Sequence, residues 1–145
     1  MNSMLRIAAV TLVAGFALSI APALAATEKF TADLLGSSET PPTTSTGTGT
    51  ATITFDTKTD KLSWVITYKG LTGTAVAAHF HGPAAVGVSA APVVPLTHKL
   101  TSPIRGYTTL TAKQAADLEA GLWYFNIHTA KFPNGEVRGQ ILKAK

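Results

Sequence analysis

The chain contains no cysteine. A disulfide scaffold, a thiolate metal centre and a cysteine nucleophile are therefore all excluded. Charge is sparse: Asp, Glu, Lys and Arg make up 14% of the 145 residues, and the formal net charge is +4. The positive residues are scattered along the chain with no dense patch, so nucleic acid is not expected as a partner. There is no Gly-x-Ser-x-Gly elbow, no glycine-rich phosphate loop and no dinucleotide fingerprint. These gaps point away from an enzyme and towards a binding or structural module.

Long apolar runs are also lacking, with one exception at the start. Arg6 precedes an almost wholly apolar stretch from Ile7 to Ile20, and Ala23-Leu24-Ala25 follows with small residues at the two positions that signal peptidase reads. A membrane span needs about 20 apolar residues, and this run is shorter. Residues 1–25 therefore read as a secretory signal cleaved after Ala25, which predicts a secreted or periplasmic protein with no membrane attachment once cleaved. No cysteine is present to carry a lipid at the new N-terminus. Residues 26–145 are enough for one domain with a real core.

What that domain does contain is alternation. Phe30, Ala32 and Leu34 fall on one face of a strand over Lys29–Leu35, and Ala51, Ile53 and Phe55 on one face of Thr50–Asp56. Leu62, Trp64, Ile66 and Tyr68 do the same for Leu62–Tyr68. Ala75–His81, Val93–Leu96, Leu122–His128 and Glu136–Lys143 complete the strand set, and Ser102–Leu110 has room for one more. One helix is predicted, over Thr111–Gly121: Thr111 and Gln114 form a capping box and Gly121 ends it in the left-handed region. The fold class is mainly β, an antiparallel sandwich or barrel with one short helix. Asn134-Gly135 signals a hairpin. A strict two-residue loop there would set His128 opposite Ile141, pairing a polar face with an apolar one, so a longer loop or a bulge is expected.

The chemistry lies in the histidines. His79 and His81 are two apart on one strand, so they share a face, about 6.6 Å apart along it. His128 ends another strand. Two or three imidazoles on one sheet face can hold a metal ion, and an all-nitrogen donor set in an oxidising compartment favours copper first and zinc second. His98 is a candidate fourth ligand. The competing reading is a set of structural histidines satisfied by backbone and carboxylate hydrogen bonds. Glu136 and Arg138 also share a strand face. They read either as a charged pair bracing the hairpin or, for Glu136, as the group that orients His128. Asn126 shares a face with Tyr124 and His128 and can bond a histidine or the backbone. Trp64, Trp123 and Phe125 read as core.

In order along the chain, Gly36-x-x-Glu39-x-Pro41-Pro42, Ala78-His79-Phe80-His81-Gly82-Pro83, Leu118-x-x-Gly121-x-x-Tyr124-x-Asn126-Ile127-His128-Thr129 and Gly135-Glu136-Val137-Arg138-Gly139-Gln140-Ile141 resemble the CHRD domain, named from chordin and also found in secreted bacterial proteins. The resemblance runs from about Lys29 to Leu142. It implies an extracellular or periplasmic β domain in which the two histidine-bearing segments are sheet neighbours. A weaker likeness, confined to the His-x-His tripeptide and the architecture, is to copper–zinc superoxide dismutase. The architecture is thus expected to be immunoglobulin-like or superoxide-dismutase-like. The function expected is a non-enzymatic CHRD-domain protein, binding copper or zinc through His79, His81 and His128. The alternatives are a structural or protein-interaction module with an unidentified protein partner and, third, a dismutase-like redox enzyme.

Overall fold

In the computed structural model, which describes residues 26–145, eight strands form a single sheet. They are β1 (Thr27–Leu35), β2 (Thr48–Asp56), β3 (Lys61–Lys69), β4 (Ala75–His81), β5 (Pro92–Leu96), β6 (Ile104–Thr109), β7 (Trp123–Thr129) and β8 (Val137–Lys143). The spatial order is β5-β4-β7-β8-β1-β2-β3-β6, and every pairing is antiparallel. The predicted leader lies outside the described residues. No helix among the described residues is long and apolar enough to cross a membrane.

The sheet is strongly curled. Trp64 of β3 and Phe80 of β4 sit far apart in strand order, yet their ring centroids are 5.1 Å apart. The alternating apolar residues all turn into the hollow of the curl. Phe30 and Leu34, Ile53 and Phe55, Leu62 and Ile66, Phe80, Phe125 and Ile127, and Val137 and Ile141 are buried together. Buried apolar area is the main stabilising term, at about 25 cal/mol per Å².

The local signals act as their chemistry requires. The turn between β2 and β3 closes on Asp56, whose Oδ1 accepts from the amides of Lys58 and Thr59 at 2.9 Å each. The helix α1 (Ala112–Glu119) has its capping box: the Thr111 hydroxyl accepts from the Gln114 amide, and Gln114 Oε1 accepts from the Thr111 amide. Gly121 follows at φ +72°.

The β7–β8 connection is longer than the Asn-Gly pair alone. Ile127 pairs with Val137 and Asn126 with Arg138. Two turns build the loop, one closed by Thr129 and Phe132 and the next by the Gly135 amide on the Phe132 carbonyl. This register sets core residue against core residue, which the strict loop would not have done.

Strand β7 departs from simple alternation, because all seven of its residues are buried. Trp123, Phe125 and Ile127 face the core. Tyr124, Asn126 and His128 face outward, under loops. The loop after β4 folds across that outer face and is held by its carbonyls: Arg138 Nη2 donates to Val88 O at 2.7 Å and Gln140 Nε2 to Ala84 O at 2.9 Å.

Candidate metal centre

The outer face of β4 and β7 carries the histidines. Register sets Ala77 beside His128, His79 beside Asn126 and His81 beside Tyr124, so the polar residues of both strands form one patch. One ring nitrogen from each of His79, His81 and His128 lies within 4.8 Å of the others. The three residues expected to converge do so. His98 does not join them: it is exposed after β5, at the cleft between the edge strands β5 and β6. A strand ladder fixes side-chain direction, but His98 lies past the last ladder pair of β5, at Leu96.

Hydrogen bonds set the imidazole tautomers. His81 Nδ1 donates to the Ala90 carbonyl at 2.8 Å, and His128 Nδ1 donates to the Pro133 carbonyl at 2.9 Å. A neutral imidazole holding its proton on Nδ1 keeps its lone pair on Nε2. Both Nε2 atoms therefore present lone pairs, and both lie 3.0 Å from Asn126 Oδ1. His79 Nδ1 is 3.0 Å from His128 Nε2, to which it can donate in the metal-free state. Binding of the outer nitrogen by a main-chain carbonyl is the usual device for orienting a metal-ligating histidine.

The surroundings of His79 and His81 disfavour their protonated forms. Burial lowers the pKa of His79 below its ordinary 6.5, and the neighbouring His128 and His81 lower it further. Burial also lowers that of His81, against the opposing hydrogen bonds to Ala90 and Asn126. His81 stacks parallel to Tyr124, with centroids 4.6 Å apart, and the Arg138 guanidinium lies 3.4 Å over the same ring. His79 is only half-buried, which leaves the cluster a path to solvent.

Glu136 and Arg138 form neither a brace nor a histidine orienter. Glu136 is fully buried and accepts from Ser45 Oγ at 2.6 Å, from the Thr72 amide and hydroxyl at 2.8 Å each, and from the Thr129 hydroxyl. It ties β8 to the segments around Ser45 and Thr72. The orienter of His128 is the Pro133 carbonyl instead, a backbone group that no side-chain motif announces. The carboxylate that feels Arg138 is Glu39, which is buried beside Asn126 and raised in pKa chiefly by desolvation.

Fold and site together define a small antiparallel β domain, curled around its core, with a buried histidine cluster on its convex face. The sequence matches the family model of the CHRD domain over residues 30–141, and the chain belongs to that family. No curated protein and no solved structure gives a significant match.

Proposed function

We propose that the protein is an exported, non-enzymatic metal binder that holds copper(II) through His79, His81 and His128. The observation that carries this reading is the pair of Nδ1–H groups committed to the Ala90 and Pro133 carbonyls. They turn two Nε2 lone pairs inward beside His79 Nδ1. His79 Nδ1 can donate to the His128 lone pair, but the His81 lone pair faces another acceptor, Asn126 Oδ1, where a purely structural cluster would match each acceptor with a donor. Neutral imidazoles suit zinc as well, but at equal geometry copper(II) binds more tightly along the Irving–Williams order.

The test is calorimetric titration with Cu(II) and Zn(II) of untagged protein and of His79→Ala, His81→Ala and His128→Ala. Each change is expected to weaken copper binding by about a hundredfold, since loss even of an outer partner costs about 10–100-fold, while circular dichroism keeps its β signature. Three variants that bind like the wild type would assign the histidines to structure and the protein to the interaction modules.

A further inference from the structure

Resting on the metal-site reading above, we propose that the side-chain oxygen of Asn126 is a fourth ligand, so that three histidines and one asparagine form a centre built for tetragonal copper(II). The argument begins with a mismatch of hydrogen-bonding partners. Asn126 is 3% exposed, and its Oδ1 lies 3.0 Å from Nε2 of both His81 and His128. Both nitrogens carry lone pairs, because their rings spend their protons on main-chain carbonyls. His128 Nε2 can take the His79 Nδ1 proton, but His81 Nε2 and Asn126 Oδ1 face each other as two acceptors with no hydrogen between them, an arrangement that costs free energy unless a cation takes the lone pairs. Turning the amide over would offer its NH2 to both nitrogens. That rotation would also turn the amide oxygen towards the Glu39 carboxylate, which lies on the side of the amide nitrogen. The amide nitrogen and the Glu39 carboxylate approach the same point beside Gly135, which favours the oxygen of Asn126 facing the histidines.

The spacing then distinguishes the coordination geometry. Ligand atoms about 2.0–2.1 Å from a metal are about 2.9 Å apart when they subtend a right angle and about 3.3 Å apart at the tetrahedral angle. Three successive separations, His79 Nδ1 to His128 Nε2, His128 Nε2 to Asn126 Oδ1 and Asn126 Oδ1 to His81 Nε2, are each 3.0 Å. They form an open path from His79 through His128 and Asn126 to His81, and each separation is nearer the right-angle spacing than the tetrahedral one. A square of nitrogen and oxygen donors is the geometry of copper(II) and nickel(II), whereas zinc prefers the tetrahedron. All four ligands are neutral, so the bound centre keeps the full charge of the ion, and the side of His79 stays open to water or an exogenous anion.

The experiment compares wild type, Asn126→Leu and Asn126→Asp by Cu(II) titration and electron paramagnetic resonance, with thermal melting as the check on folding. If Asn126 is a ligand, Asn126→Leu lowers copper affinity by about tenfold or more and changes the copper hyperfine pattern. Asn126→Asp, which supplies a charged oxygen, raises the affinity above wild type and shifts the copper spectrum. If Asn126 only bonds the empty imidazoles, it competes with the metal. Asn126→Leu then binds copper as well as or better than wild type, with an unchanged spectrum, and the proposal fails while the three-histidine site stands. If the leucine variant does not fold, Asn126→Asp decides alone: unchanged affinity and spectrum overturn the assignment. Wild-type protein that binds no copper overturns the metal reading itself, a different result from either variant outcome.

Discussion

At the scale of single residues, two buried glutamates end on opposite sides of the ordinary carboxylate pKa. Burial pushes Glu136 up, but the donors from Ser45, Thr129 and Thr72 together outweigh it and leave its pKa below the ordinary 4.5. Glu39 has too few donors to offset desolvation, so its pKa stands above 4.5. The linkage signs follow. Glu136 contributes stability that is complete above about 4.5 and is lost as pH falls through its lower folded value. Glu39 contributes in the opposite sense: it favours the fold most below 4.5, and that advantage is lost as pH rises through its higher folded value. Asp56 is lowered by the amides of its own turn and adds to the Glu136 trend. Replacing Glu136 by Gln keeps the shape, removes the charge and sets an NH2 against hydroxyl and amide donors. The variant is expected to lose about 2 kcal/mol at pH 7 and to show a flatter stability profile than wild type as pH falls below 4.5. Urea midpoints across that range check both. A variant with the full wild-type acid slope would show that Glu136 is not its source.

At the scale of elements, the strands were legible because their residues alternate. Phe30-x-Ala32-x-Leu34 and Leu62-x-Trp64-x-Ile66 announce which face is buried, and both are buried as read. The helix was legible through Thr111, Gln114 and Gly121, whose backbone needs are local. The convergence of His79 with His81 followed from strand geometry, and that with His128 from the adjacency of β4 and β7. Three features were not legible. The outer cover of β7 comes from carbonyls of the 82–91 loop, and a carbonyl is present at every residue. The place of His98 depends on where a ladder ends. The partners of Glu136 are Ser45 and Thr72, far away in sequence, together with Thr129 across the hairpin, contacts that the neighbouring Arg138 masks. The β7–β8 connection joins fold to site through Gly135, which sits at φ +126°, where other residues are strained. A Cβ there would overlap the Glu39 carboxylate and lie 2.8 Å from Asn126 Nδ2. Gly135→Ala is expected to cost about 2–4 kcal/mol, from backbone strain and overpacking together. It should also weaken copper binding by displacing Asn126. Melting temperature and Cu(II) titration read the two effects separately, and an alanine variant with wild-type values for both would remove Gly135 from the account.

At the scale of the whole molecule, the expected cleavage site can be set beside the start of β1. The last small residue of the export pattern is Ala25, and Ala26, the first described residue, is already tied into the fold. The Ala26 amide donates to Thr57 Oγ1 at 3.2 Å, the Thr57 amide donates back to the Ala26 carbonyl at 3.1 Å, and Thr27 opens the β1–β2 ladder opposite Asp56. Cleavage after Ala25 would therefore leave the entire ladder of β1 intact. It would also free an α-amino group where the Ala26 amide now donates, and an ammonium can still donate to Thr57. Export fits the chemistry proposed for the site. With no cysteine to oxidise and neutral nitrogen and oxygen ligands, an oxidising compartment leaves both the fold and copper(II) undisturbed. The expected outcome is that the secreted protein has the intact mass of residues 26–145. A recombinant chain beginning at Ala26 should melt within a degree or two of the secreted form and bind copper equally. A secreted mass equal to the full chain, or a first residue beyond Thr27 in a protein that still folds, would break the link between the export pattern and the start of β1.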